Sequence, residues 1–152
     1  MTPSCRSSAA RPTIVIDSRE QEPFSFDPRV IRAVRRALKA GDYSIAGLED
    51  QVAVERKTLD DFVSTVIHRR RRFREELRKL SHYRAACVVV EAGLLDVLGK
   101  RYRGEARLAA VVGNTLSILL DYGVPVVFCG NRQAACYFTQ GFLLAAWKRR
   151  GR

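Results

Sequence analysis

The sequence predicts an α/β fold, a central mixed sheet flanked by helices on both faces. Two observations carry that prediction. Short apolar runs rich in β-branched residues, at 13–16, 52–54, 85–90 and 124–129, alternate with longer stretches whose apolar residues recur at helical spacing. The first two of these runs also stop in charge, one in Asp17-Ser18-Arg19-Glu20 and the other in Glu55-Arg56-Lys57. Buried charge is costly unless it is paired or bound to metal, so a strand that ends this way needs a reason.

The chain of 152 residues is one domain, long enough for a sizeable core, and its hydrophobic fraction of 47% is ordinary. The charge is not ordinary. Lys and Arg number 27 against 16 Asp and Glu, a net +11, with a pI near 10.2. A compact domain this basic points to a polyanionic partner, nucleic acid above all. Arginine dominates, and its planar fork suits phosphate. Cys5, Cys87, Cys129 and Cys136 form no Cys-x-x-Cys pair and stand apart from His68 and His82, which argues against a zinc site. Cys87 and Cys129 read as buried thiols in a reducing compartment. No run has the length of a membrane span and the N-terminus lacks a signal-peptide apolar core, so no membrane partner is expected.

Residues 1–11, rich in Ser, Ala and Arg, read as a disordered tail. The domain runs from 12 to 148, and 149–152 form a basic tail. Thr13-Ile14-Val15-Ile16 is a strand. Residues 21–28 hold two prolines and two phenylalanines and form a loop. Asp27-Pro28 then resembles a helix start, followed by Val30, Ile31, Val34, Ala37 and Leu38 at helical spacing among five cations. That spacing predicts an amphipathic helix with a basic outer face. Residues 41–45 and 51–55 pair as a hairpin across the 47–51 turn, which brings Asp42 near Glu55.

Thr58, three residues before Asp61, caps a helix carrying Leu59, Phe62, Val63, Val66 and Ile67. The run Arg69-Arg70-Arg71-Arg72 leads into a second helical pattern through Phe73, Leu77 and Leu80. Next to a carboxylate cluster in so basic a domain, those four arginines read as phosphate-binding. Residues 85–91 form a strand, 93–100 a short helix or loop, and 105–120 a helix that stops at Tyr122-Gly123. Pro125 places the 124–129 strand toward an edge. Asn131 caps the last helix, through Phe138, Phe142, Leu143, Ala146 and Trp147. The predicted order is β-α-β-β-α-β-α-β-α.

Asp17, Asp42 and Glu55 stand at strand ends or beside a turn. Such oxygen donors suit Mg²⁺ or Mn²⁺. An ion held there polarises a phosphodiester and lowers the pKa of bound water. Glu55 and Lys57 share a strand face about 6.5 Å apart, so Lys57 is placed to orient water or to neutralise developing phosphorane charge. With the basic surface, this chemistry reads as hydrolysis of nucleic-acid phosphodiesters.

Gly41-Asp42, then Glu55-Arg56-Lys57 and, after three residues, Asp61, match the GDx(n)ERKx(3)D signature. On these residues the chain resembles the XPF/Hef-type structure-specific endonuclease domain over about residues 13–147. Asp17-Ser18-Arg19-Glu20 matches that family's upstream acidic motif. The resemblance implies a restriction-endonuclease-like core, Mg²⁺ or Mn²⁺ as cofactor, and cleavage of branched DNA (flaps, forks, junctions) near single-strand to duplex transitions, in repair or recombination. It assigns Asp17, Asp42 and Glu55 as metal-site acids, the Arg56 carbonyl as a further ligand and Lys57 as the catalytic lysine. Arg19, Glu20, Arg56 and Asp61 support them, and Asp60 faces solvent as a bystander. The family's Gly-Arg pair falls on Arg69-Arg70, so Arg70 matches its DNA-contacting arginine and Arg69 replaces its glycine.

Many relatives carry tandem helix-hairpin-helix repeats after the nuclease domain; no such segment is read in these 152 residues, which are expected to be either an excised domain or a small stand-alone protein. The partners implied are branched DNA and either a homodimer through the C-terminal helices, around Leu116 to Leu120 and Phe138 to Trp147, or a helix-hairpin-helix-containing partner. The expected location is the cytoplasm, at the nucleoid, in a prokaryote and the nucleus in a eukaryote. The competing reading is a catalytically inactive DNA-binding module of the same fold, and nothing in these residues reads a 2′-hydroxyl to decide DNA against RNA.

Overall fold

The computed structural model describes residues 11–152, so the predicted N-terminal tail lies, except for Arg11, outside the described residues. Six strands form one mixed sheet in the order β2-β1-β3-β4-β5-β6. They are β1 (Thr13–Asp17), β2 (Arg32–Arg36), β3 (Tyr43–Ile45), β4 (Val52–Lys57), β5 (Ala85–Val90) and β6 (Val126–Phe128). The helices are α1 (Leu59–His68), α2 (Arg70–Ser81), α3 (Leu94–Leu98), α4 (Leu108–Tyr122) and α5 (Arg132–Lys148). β3 runs antiparallel to β1 and β4, and the remaining neighbours are parallel.

Strand side chains alternate between faces, and that alternation builds two cores. Ile14, Ile16, Tyr43, Ile45, Val52 and Val54 point to one face, where α5 covers them with Ala135, Leu143 and Ala146. Ala53, Val88 and Val90 point to the other, under Phe62, Phe73, Leu77 and Ile118 of α1, α2 and α4. The predicted sandwich of helices on both faces is therefore present. The helix caps follow the sequence as well. Thr58 Oγ1 accepts from the Asp61 N–H at 3.2 Å and Asn131 Oδ1 from the Ala134 N–H at 2.8 Å. Pro125 precedes β6, which is an edge strand.

One predicted element is corrected. Residues 28–39 form no helix; their centre is β2, a parallel edge strand on β1. The helical start does form one turn, with the Val30 and Ile31 amides on the Asp27 carbonyl. It does not propagate, for two reasons. Only Ile31 and Leu38 of that run bury fully, too few for a helix face. And β1, buried along its length, would otherwise leave one edge of backbone groups unpaired. Five residue pairs from Thr13↔Arg32 to Asp17↔Arg36 satisfy it. Arg35 then reaches back to the Ser18 and Glu20 carbonyls.

The chain between α1 and α2 turns at Arg69, with φ −108° and ψ 33°. Those angles need no glycine, so the arginine that replaces the family's glycine is accommodated without strain.

Candidate active site

The strand alternation that builds the cores also sorts the charges. On β4, Val52, Val54 and Arg56 point toward α5, while Ala53, Glu55 and Lys57 point toward α1 and α2. By the same count Asp17 on β1 and Asp42 beside β3 fall on the α2 side. These four residues line one cavity of about 310 Å³. Arg19, Arg69 and Arg72 rim it, and Thr65, Phe73 and Glu76 close the helical wall.

Asp17 is buried and fully engaged: Oδ1 accepts the Leu38 amide at 2.9 Å and Oδ2 accepts Arg19 Nε at 3.0 Å. Its own amide donates to the Asp42 carbonyl at 2.8 Å. Asp42 is held by the opposite neighbour: its amide donates to the Val54 carbonyl, and its Oδ2 accepts the Arg56 amide, both at 2.8 Å. Gly41 makes this approach possible. Its φ is +76°, and a Cβ there would stand 2.9 Å from Ala53 Cβ. Its amide donates to Glu76 Oε1 at 2.8 Å, which ties the β3 entry to α2.

Burial raises the Asp42 carboxyl to about 6, against the pull of the Arg56 amide. Burial, with the Asp42 charge added, raises Glu55 further, to about 8. Lys57 Nζ lies 3.6 Å from Glu55 Oε1 and 5.9 Å from the centre of the Phe73 ring. So two half-buried carboxylates repel one another with a single ammonium to balance them. Hard oxygen donors in that condition fit a divalent cation, whose charge would lower both pKa values again. Among the described residues no three His, Cys, Asp or Glu side chains converge closely enough to enclose an ion. Asp42 and Glu55 line the cavity together, and Asp17 faces it with one oxygen on the Leu38 amide and the other on Arg19.

Arg56 serves the other side of the sheet. Its guanidinium, 9% exposed, bonds Glu20 through Nε and Nη2 and Glu91 through Nη1, at 2.9–3.1 Å. Burial opposes its charge, and the two carboxylates more than offset that, so its pKa is raised. Burial would raise Glu20, but the Arg56 bond and the Glu22 amide hold it below its usual range. Arg132 joins the same cluster, 2.7 Å from Glu91, and packs over Phe24.

The remaining sequence candidates separate. Of the four arginines, Arg69 and Arg72 face the cavity; Arg70 lines a different groove and Arg71 lines neither. Asp61 also stands apart, in a cleft with His68 and Arg103, where its amide completes the α1 cap. Asp60 is half-exposed, yet not idle: it accepts the Arg103 amide at 2.8 Å. Sequence reasoning passed over Glu76 and Glu91. Glu76 was readable from helical spacing, since it follows Arg72 and Phe73 on one face of α2. Glu91 follows β5, one residue past the Lys57↔Val90 pair, and its amide bonds the Lys57 carbonyl.

A model of the ERCC4 domain matches residues 16–142. A protein of Methanocaldococcus jannaschii, provisionally named an ATP-dependent RNA helicase, is 33% identical over 120 residues; the match covers 79% of this chain and 14% of that protein. XPF from Aeropyrum pernix superimposes with a TM-score of 0.69 at 24% identity, over 90% of this chain and 66% of that one. The same protein in complex with DNA gives 0.67 at 24%, over 91% and 66%. At that identity the likeness speaks for the fold, and the chain spans under two thirds of each of these proteins.

Proposed function

The chain belongs to the ERCC4 domain family, and from that premise we propose that it is a divalent-metal-dependent DNA endonuclease. Its substrate is branched DNA, cut near the passage from single strand to duplex, in repair or recombination. The observation that carries the reading is the pair Asp42 and Glu55. Both are half-buried, both are raised in pKa, and they share with Lys57 a cavity rimmed by Arg69 and Arg72. Lys57 is the one cation in a salt bridge with this pair among the described residues, and both carboxylates line the cavity.

In this reading Asp42 and Glu55 would hold Mg²⁺ or Mn²⁺ with the Arg56 carbonyl as a further ligand, and Asp17 would join them by exchanging its Arg19 bond for the ion. The ion would supply charge that stabilises the phosphorane-like transition state. Lys57 orients the attacking water or neutralises charge on the scissile phosphate; water adds to phosphorus as the P–O bond to the leaving oxygen breaks. Arg69 and Arg72 hold the flanking phosphates. Arg19 and Glu20 position Asp17 and Arg56. The exposed Leu116, Leu119, Leu120 and Phe138 are the face for a homodimer or a helix-hairpin-helix partner, while Ile118, Leu143 and Ala146 are core. The enzyme works on chromosomal DNA, at the nucleoid or in the nucleus.

The test is a cleavage panel over labelled flap, fork and four-way junction DNA with Mg²⁺ or Mn²⁺. The name of the Methanocaldococcus relative speaks of RNA, so matched RNA and hybrid substrates belong in it. Cutting of branched DNA that disappears in Asp42→Asn and Lys57→Ala, with DNA binding kept, supports the reading. Metal-dependent cutting of nothing in the panel, with DNA still bound, favours the inactive binding module.

A further inference from the structure

Helix α2 is a ridge with arginines on both flanks. Arg69 and Arg72 face the carboxylate cavity. Arg70, Arg74 and Arg78 face a second groove of about 210 Å³ between α2 and α4, whose far wall holds Asn114, Ser117 and Tyr122. Phe73 lies in the floor of both. The three arginines stand four residues apart, and four residues of α-helix rise about 6 Å, so the groove carries a cation about every 6 Å along its length.

These cations are free. Among the described residues none of the three side chains joins a salt bridge or donates a hydrogen bond, whereas Arg19, Arg56, Arg101 and Arg132 all do. All three are exposed. One acid, Asp121, lines the groove, leaving a clear excess of positive charge. Like charges in a row repel, and a polyanion laid along them removes that repulsion. The far wall adds the other part. Asn114 donates its Nδ2 to the Val66 carbonyl at 3.1 Å, which leaves its oxygen to accept from a ligand. Ser117 offers a hydroxyl, and the half-exposed Tyr122 offers a ring on which a base can stack.

We propose that the α2–α4 groove binds a single-stranded nucleic-acid arm. Helix α2 then stands between that arm and the strand presented to the carboxylates. This rests on the reading of the chain as a nuclease of branched DNA, and it says where one branch goes.

The experiment is fluorescence anisotropy across a salt series with three labelled DNAs: a single-stranded oligothymidylate, a duplex with one single-stranded arm, and the same duplex blunt-ended. Wild type is compared with Arg74→Ala/Arg78→Ala and with the charge-keeping Arg74→Lys/Arg78→Lys, with cleavage of the armed duplex measured on the same samples. The Ala pair should weaken binding of the first two DNAs roughly tenfold and flatten their salt dependence by about 1.4 in log–log slope, two cations at ~0.7 each for single strands. It should leave the blunt duplex unchanged, and the Lys pair should keep most of the affinity. Equal loss on the blunt duplex, no loss on any DNA, or a wild type that binds no single strand would each overturn the groove assignment. A wild type that binds the arm through Arg74 and Arg78 yet cuts nothing overturns the nuclease reading alone. A cutting enzyme indifferent to both substitutions overturns the groove alone.

Discussion

The backbone N–H of Arg56 donates to Asp42 Oδ2 at 2.8 Å, while the Arg56 side chain leaves on the opposite face of the sheet for Glu20 and Glu91. One residue thus positions a site carboxylate with its main chain and anchors its strand with its side chain. The anchor is a buried ion cluster, and removing one member strands the others. Glu20→Ala should destabilise the protein by about 3 kcal/mol, read from urea unfolding, because it leaves the Arg56 charge half-compensated. Glu20→Gln, which keeps an acceptor, should lose less. Equal stability of Glu20→Ala and wild type would show that the cluster contributes nothing.

Gly41 sits where the chain enters the site with positive φ and close to Ala53. Gly41→Ala should cost about 1–3 kcal/mol, since it combines an unfavourable φ with a clash against sheet backbone and side chain. It should also weaken Mn²⁺ binding measured by calorimetry, because Asp42 moves with it. Full metal affinity in a destabilised variant would separate the two effects.

The raised pKa of Glu55 gives a stability signature. Its folded value, about 8, lies above the ordinary 4.5. The folded state therefore holds the proton more tightly than the unfolded chain. That contribution is complete below about pH 4.5 and fades as pH rises through 8. In chelator, wild type and Glu55→Gln should be similarly stable near pH 5. Near pH 8 the variant should be the more stable, by on the order of 2 kcal/mol. Adding Mn²⁺ at pH 8 should raise the melting temperature of wild type and not of the variant. A difference that is flat with pH would place the Glu55 charge in water.

Glu76 lines the cavity and accepts from Gly41. Glu76→Gln keeps an acceptor and removes a charge that pushes Glu55 up. We expect several-fold weaker Mn²⁺ binding in Glu76→Gln and a larger loss in Glu76→Ala. Unchanged affinity in Gln with a loss in Ala would leave Glu76 only the task of holding Gly41.

The arginine run should not act as a unit. Arg69→Ala/Arg72→Ala should lower the slope of log affinity against log salt for duplex DNA by up to about 1.8, two phosphate contacts at ~0.9 each. Arg71→Ala, which lines no cavity, should change it little. Equal slopes from all single substitutions would mean a diffuse basic surface instead of a directed rim.

The sequence by itself determined the strand ends and the identity of the charges there. Apolar β-branched runs end where Asp17 and Glu55 begin, and period-two alternation already separates Glu55 and Lys57 from Arg56. The caps at Thr58 and Asn131, the hairpin that joins Asp42 to Glu55 and the edge position after Pro125 were legible for the same reason: each is a local rule acting over a few residues. Tertiary structure decided what local rules cannot. Residues 28–39 carry helical spacing, yet the unpaired edge of β1 recruits them as β2, since a buried strand must satisfy its backbone on both sides. The four arginines look equivalent in the sequence. Helix α2 turns by about 100° per residue, so it sends Arg72 to the cavity and Arg70 to the other flank, while Arg69, at the turn before it, also faces the cavity. Glu76 and Glu91 entered the site region because the fold brought α2 against β3 and placed the end of β5 beside Lys57, contacts between segments far apart in the chain.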